Sequence, residues 1–520
     1  MVLNRRLCVR EMIQLLRRQG SIMASLHNGT LKCESENDLE YEEAVRALNS
    51  LQTNTAVLQQ LAKQGRRTHE AQARNIHDTA KFLSRCGIEL LQLDKLSVIH
   101  VAGTKGKGST CAFCESILRE HGFKTGFFSS PHLVAVRERI RINGKPLARH
   151  LFARHFWKVY KALDEAKESS DDMPAYFKFL TVMAFSVFLA ERVDVAVVEV
   201  GIGGEYDCTN VLRSVAAVGI TSLGIDHVKI LGDTIEQIAW QKAGVMKPGA
   251  VAFTAGRQPE AALRVLRERA VERQCPLLVA PPLESYDWGL LSPELGVDSP
   301  GQLLNASLAL QLTGAWLSSR SARGGARQSG SWSGEWPVAA AAGFPVAQAT
   351  ARGLRDCRWP GRTQVLDRGR VRYFLDGAHT AESMALCAAW FLRSASPSAR
   401  RVLLFNSTGD RSVADLLAPL LPCAFSCVLL CPNCVTEQVD LSSDQADCLV
   451  SREQMLARCR LHQEAWRRLC GGGEVRQYGC VLAALSEIRR EQETTQVLVT
   501  GSLRLVGAVL SVVDPELASS

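Results

Sequence analysis

Ser97-Val-Ile-His-Val-Ala-Gly-Thr-Lys-Gly-Lys-Gly-Ser-Thr110 carries the clearest structural signal in the chain. The β-branched run 97–101 predicts a strand, the glycines that follow predict a turn, and the periodicity of 109–121 predicts a helix. A strand that runs through glycines into a helix N-terminus suits phosphate. Backbone N–H groups can approach the oxygens closely, the helix end adds partial positive charge, and a lysine neutralises the outer phosphates. Gly106, Lys107, Gly108 and Ser109 are therefore candidate phosphate-binding residues, with a purely structural turn as the alternative. The loop is not a standard Walker A sequence, because Gly108 follows Gly106-Lys107 where Ser or Thr is expected.

Working outward, short β-branched runs alternate with helix-like segments. Strands are expected at 125–128, 194–200, 215–222, 250–254 and 276–279. Residues 318–334 are rich in Ser, Gly, Arg and Ala without periodicity, which predicts an exposed loop or linker. A second alternation follows, with strands at 371–375, 402–405, 427–431 and 497–500. The expected architecture is α/β: a phosphate-loop domain with a mostly parallel sheet, then a smaller Rossmann-like α/β domain. The expected boundaries are 1–38 as presequence or disordered segment, 39–317 as the nucleotide-binding domain, 318–345 as linker or surface loop, and 346–520 as the second domain.

Composition supports an ordinary globular protein of two or three domains: 520 residues, 46% hydrophobic and 22% charged. The net charge of +8 is spread along the chain, which argues against nucleic acid as a partner and favours small anionic substrates. Seventeen cysteines at irregular spacing read as reduced thiols. Cys111 and Cys114 share one face of the expected helix with Leu118, so packing is preferred over zinc, and the same applies to Cys431 and Cys434. The most apolar stretch, 176–190, is interrupted by Lys178, Thr181 and Ser186 and is too short to span a bilayer; it reads as a buried helix. At the N-terminus Arg5, Arg6, Arg10, Arg17 and Arg18 interleave with Leu3, Leu7, Ile13, Leu15 and Leu16, and Glu11 is the only acid. That pattern fits a mitochondrial presequence, with a solvated basic helix as the alternative and Met23 as a start for a shorter cytosolic form.

Several further motifs carry chemistry. Glu199 lies inside the apolar strand of Val197-Val-Glu-Val-Gly-Ile-Gly-Gly204, where a carboxylate needs a cation. That makes it a magnesium-ligand candidate, with a salt-bridged structural acid as the alternative. Asp376 and His379, in Leu375-Asp-Gly-Ala-His379, sit at an expected strand end, where loops carry sites, with a tight Asp-Gly turn as the alternative for Asp376.

Together these strings resemble the folylpolyglutamate synthase branch of the Mur ligase superfamily, from about residue 39 to the C-terminus. Gly103-Thr-Lys-Gly-Lys-Gly-Ser109 is similar to its phosphate loop, with Lys105 as in eukaryotic members. Phe127-Phe-Ser-Ser-Pro-His-Leu133 with Arg137-Glu-Arg139 resembles its folate-lining loop. The resemblance implies a folate-binding role for Ser129, Pro131, His132 and Arg137, and a magnesium-binding role for Ser130. Gly224-Ile-Asp-His227 matches the segment carrying its metal-binding histidine, and Ala239-Trp-Gln-Lys-Ala-Gly244 the one whose lysine is carbamylated. His227 and Lys242 are therefore implied near a second magnesium. Trp359-Pro-Gly-Arg362 and the Asp376–His379 segment resemble the family's nucleotide contacts, implying ATP binding by Arg362 and Asp376 and a catalytic place for His379. Gly301-Gln302 stands where the family has His-Gln, while Gln302 and Asn305 remain; Asn305 is an implied ATP contact. Ala102 replaces a common Thr.

The implied reaction is ATP-dependent addition of L-glutamate to the γ-carboxylate of a tetrahydrofolate, through an acyl phosphate, by a monomer. Lys107, Glu199, His227, Lys242 and His379 are its implied catalytic residues. Mg2+ is the implied cofactor, with a monovalent cation such as K+ as a further candidate. The alternatives are a dihydrofolate synthase or bifunctional enzyme on the same machinery, and a nucleotide-binding scaffold without catalysis.

Overall fold

The computed structural model describes residues 36–52, 69–169, 172–297, 299–321, 337–409, 411–438, 440–446, 450–491 and 493–519. Nearly all of the expected presequence, Met23 included, and most of the expected 318–345 loop lie outside the described residues.

The first lobe is built on eight strands in the order β4-β3-β2-β5-β1-β6-β7-β8. They are β1 (Val98–Ala102), β2 (Thr125–Phe128), β3 (Ile140–Ile142), β4 (Lys145–Pro146), β5 (Val195–Glu199), β6 (Ala217–Ile220), β7 (Val251–Thr254) and β8 (Leu277–Val279). β2, β5, β1, β6, β7 and β8 run parallel, while β3 and β4 form an antiparallel edge. Every residue of β1 and β5 is buried, because helices cover both faces of the sheet. Val98 and Ala102 face one apolar cluster and Ile99 and Val101 the other, so a continuous hydrophobic run serves two cores. The described helices that position the site here are α1 (Glu36–Ser50), α2 (Lys107–Glu120), α3 (Tyr176–Glu191), α4 (Ile235–Ala243) and α5 (Pro300–Ser321). Helix α3 is the buried apolar helix expected from 176–190. Cys111 and Cys114 are fully buried in α2 beside Ile117 and Leu118, and the described cysteines carry no disulfide. Residues 318–321 form the last turn of α5.

Helix α6 (Gln348–Arg355) packs on α2 so closely that a Cβ at Gly353 would lie 2.5 Å from the Ile117 Cα. The second sheet begins after it, in the order β13-β12-β11-β14-β10-β9. Its strands are β9 (Gln364–Arg368), β10 (Val371–Leu375), β11 (Arg400–Phe405), β12 (Cys427–Leu430), β13 (Glu474–Gln477) and β14 (Thr495–Thr500). β9 is antiparallel to β10 and the rest are parallel. Helices α7 (Ala381–Ser394), α8 (Arg452–Cys470) and α9 (Leu503–Val513) cover it. The sequence reading missed β9, β13 and the β3–β4 edge. These short strands carry charged residues and lie at sheet edges, where a solvated face erases the apolar signal.

Both sheets present the carboxyl ends of their parallel strands to the space between the lobes, which is where such sheets hold ligands.

Candidate active site

The phosphate loop leaves β1 and enters α2 at Lys107, two residues earlier than the periodicity suggested. Gly106 precedes the first turn with φ +92°, and the Thr110 N–H bonds its carbonyl oxygen at 2.8 Å, so the turn rather than side-chain periodicity sets the start. A Cβ at Gly106 would lie 2.1 Å from Asn305 Oδ1, and one at Gly103, with φ +147°, 1.8 Å from Thr221 Oγ1. Both glycines therefore answer to φ and to close approach together. Asn305 Nδ2 donates to Gln302 Oε1 at 2.9 Å, and Gln302 Nε2 donates to Ser109 Oγ at 3.3 Å, so the start of α5 underpins the loop. At Gly301 a Cβ would meet nothing within 4 Å.

Gly108 has a physical reason to replace the Walker serine. A Cβ there would lie 3.1 Å from the Trp359 ring and 3.4 Å from Glu199 Oε2. Trp359 belongs to the segment between α6 and β9, and its ring also covers the Arg141 guanidinium at 5.0 Å and meets Phe127 edge-on at 5.6 Å.

Glu199 ends β5 next to β1 and is 5% exposed. The Ser130 N–H donates to its Oε2 at 3.0 Å. Burial pushes its carboxyl above the ordinary carboxylate range, while Lys107, the Ser130 amide, Arg362 and Arg139 pull it back down. Lys107 comes from the phosphate loop and Arg362 from the second lobe, so positive charge from both lobes acts on one buried carboxylate. A carboxylate in that setting fits a divalent cation, with Ser130 beside it.

Lys242, in the last turn of α4, is 3% exposed and donates from Nζ to the Gly103 carbonyl at 2.7 Å. Burial lowers its ammonium to about 7, assisted by the positive charge of Lys107. His227, with φ +52° at the start of a single helical turn, is exposed, and partial desolvation with neighbouring cations lowers its imidazole. Asp226 accepts the His227 N–H at 2.9 Å and Arg411 Nη2 at 2.8 Å. Arg411 follows β11, so this pair crosses between the lobes. A second crossing pair joins Lys105 to Glu382 in the first turn of α7. Asp376 accepts N–H bonds from Thr363 and Ala378, each at 2.9 Å, and burial raises its carboxyl against the pull of Arg362. His379 Nδ1 bonds the Gly377 carbonyl at 2.8 Å, which leaves Nε2 as the lone-pair nitrogen of a neutral ring; burial lowers its pKa.

The 129–137 loop is held mainly by protein groups. Ser129 is buried, with its N–H on the Arg139 carbonyl at 3.1 Å, and Pro131 is exposed. His132 engages both ring nitrogens: Nε2 donates to the Asp444 carbonyl at 2.9 Å and Nδ1 accepts from Arg139 Nε at 3.0 Å. Arg137 is 2% exposed and donates to the Leu147 carbonyl at 3.2 Å. Glu138, within the motif, accepts the N–H groups of Leu133, Val134 and Ala135 at 2.9, 2.9 and 2.7 Å. Sequence reasoning missed Asp226, Glu382, Arg411, Asp444 and Gln445. Each is polar in a loop or at a helix start, where only the partner across the lobes reveals a role; Asp226 alone had a signal, being next to His227.

A phosphate-cradling loop that closes against a second α/β lobe is the architecture of ATP-dependent, amide-forming ligases of the Mur type. No family model matches the chain. Curated relatives do: the mitochondrial folylpolyglutamate synthase of Cricetulus griseus is 44% identical over 552 residues, covering 93% of each chain. That of Homo sapiens is 43% identical over 554 residues, again covering 93% of each. Among solved structures, Mycobacterium tuberculosis folylpolyglutamate synthase complexed with ADP superposes with a TM-score of 0.66 at 23% identity, covering 88% of this chain and 98% of that one. The chain belongs to the folylpolyglutamate synthase family, ATP-dependent ligases that join glutamate to folates.

Proposed function

We propose that this chain adds L-glutamate to the γ-carboxylate of a tetrahydrofolate, releasing ADP and phosphate. The observation that carries this reading is a glycine loop packed against buried Glu199, a Cβ at Gly108 lying 3.4 Å from its Oε2, with a second lobe paired across to the first through Arg411 and Asp226 at 2.8 Å. Such an arrangement suits phosphoryl transfer, which is mainly positioning and charge stabilisation.

Lys107 and the amides of residues 106–109 bind the β- and γ-phosphates, Asn305 supports the loop beside the nucleotide, and Arg362 and Asp376 hold the nucleotide from the second lobe. Glu199 and Ser130 would hold Mg2+, and His227, with Lys242 carbamylated, a second one; bound there, Mg2+ supplies charge neutralisation of the phosphates. Lys242 suits that modification because an amine lowered to about 7 is largely neutral, and so nucleophilic toward carbon dioxide, at physiological pH. The folate carboxylate takes the γ-phosphoryl group, and the glutamate amine then displaces phosphate from the acyl phosphate. His379 Nε2, neutral and unprotonated, accepts the proton that the amine loses. Closure of the lobes excludes the water that would hydrolyse the acyl phosphate. Ser129, Pro131, His132 and Arg137 shape the folate side.

The relatives' mitochondrial designation supports a matrix form, and Met23 supplies a start for a cytosolic one. A monovalent cation such as K+ completes the proposed cofactors, and the enzyme works as a monomer. Among the described residues no helix is long and apolar enough to cross a membrane. The test is incorporation of glutamate into tetrahydrofolate by the purified chain with ATP and Mg2+; dihydropteroate in place of the folate tests the dihydrofolate synthase alternative. No incorporation with tetrahydrofolate overturns the proposal.

A further inference from the structure

The 129–137 loop belongs to the first lobe by sequence, yet the second lobe seats it. Leu133 and Val134 are buried in the same apolar cluster as Tyr373, Leu375, Leu505 and Val506. Helix α9 passes so close that a Cβ at Gly507 would stand 1.7 Å from the Leu133 carbonyl oxygen. The Gln445 amide donates to the Leu133 and Val134 carbonyls, each at 2.7 Å. Asp444 Oδ1 accepts the Val136 N–H at 2.7 Å, and the Asp444 carbonyl oxygen accepts from His132 Nε2 at 2.9 Å. From the other side Tyr41 in α1 donates its O–H to Asp444 Oδ1 at 2.7 Å. Asn49 Nδ2 donates to the Leu441 and Ser443 carbonyls at 2.8 and 3.0 Å. Residues 441–446 are thus wedged between α1 and the loop.

We propose that Asp444 and Gln445 are positioning residues for folate. They do not touch the reacting atoms; they fix the backbone of residues 132–136 in the conformation that receives the substrate. This inference rests on the assignment of that loop to folate. Its physical basis is preorganisation. Carbonyls and amides that lose buried partners reorient toward water, and a substrate that must re-order them binds more weakly. Once folate is saturating the loop is ordered, so kcat changes little while KM rises.

The test is steady-state kinetics with amide hydrogen exchange on the full-length chain. Gln445→Ala and Asp444→Ala are expected to raise the tetrahydrofolate KM about tenfold, leaving the ATP KM and kcat within about twofold. Asp444→Asn retains a carbonyl oxygen for the Val136 and Tyr41 donors and is expected to restore the folate KM, which a charge effect would not allow. Gly507→Ala, which keeps both residues and favours the helix, should displace Leu133 and raise the folate KM in the same way. Amides 132–136 should exchange faster in Gln445→Ala than in the unmodified chain, and folate should slow them in the unmodified chain. Folded variants with an unchanged folate KM overturn the proposal, as does an equal rise in the ATP and folate KM values, the mark of a merely structural role. If folate leaves amides 132–136 unprotected in the unmodified chain, the loop assignment itself falls and takes the proposal with it.

Discussion

Glu199 shows how a single residue separates stability from function. Its carboxyl is raised by burial, so the charged form costs stability and is kept for its chemistry. Glu199→Gln should therefore hold or raise the thermal midpoint while lowering Mg2+-dependent glutamate incorporation by about a hundredfold or more, the range seen when one group stabilising a developing charge is lost. Unchanged Mg2+ dependence would remove it from the proposed metal site. Lys242 gives a pH prediction. Its folded pKa of about 7 lies below the ordinary lysine value of 10.5, so between those values the unfolded chain binds more protons than the native one. The stability advantage of the unmodified chain over Lys242→Ala should consequently move with pH in favour of the unmodified chain, from about 7 to about 10.5 in CO2-free buffer, while Lys247, lowered to about 8, contributes equally to both. Glu199 was legible in the sequence because a carboxylate inside an apolar strand is conspicuous. The depressed lysine was not, since its burial is set by tertiary packing that brings it to the Gly103 carbonyl, 139 positions away.

At the scale of the element, the strand–loop–helix unit is the best case of sequence dictating form. β1, β2, β5 and β10 fall within a residue of the runs read from β-branched residues, because buried parallel strands admit little else. The start of α2 was misplaced because backbone torsion at Gly106, rather than a capping side chain, sets it. Two substitutions probe this unit. Gly103→Ala combines a φ of +147° with a 1.8 Å approach to Thr221 Oγ1, so it should destabilise the protein by more than 1 kcal/mol, the lower end for forcing a side chain into strained backbone, as read by urea denaturation. Gly108→Ser restores a Walker-type sequence yet brings Cβ to 3.1 Å from Trp359, a tighter fit than the packed interface allows. Its ATP KM should rise and its thermal midpoint fall by a few degrees. A Gly108→Ser enzyme of full activity would show that Trp359 yields.

Across the whole molecule, two lobes could be read from the alternation of elements, but their mutual contacts could not, since these contacts join residues far apart in the chain. The Asp226–Arg411 pair spans 185 residues, and its Arg411 lies in a loop with no distinctive motif. In a double-mutant cycle, Asp226→Asn and Arg411→Met should show a coupling of about 1 kcal/mol in urea unfolding, weakening as salt rises, as partly exposed pairs do. Additive effects would mean the pair contributes nothing to holding the lobes. The burial of Leu133 and Val134 among second-lobe side chains has a practical corollary for engineering. The seam of this enzyme does not run where the polypeptide crosses from one half to the other. A chimera that grafts a distant relative's second half onto this first half should stay insoluble or inactive until residues 131–136 are exchanged with it.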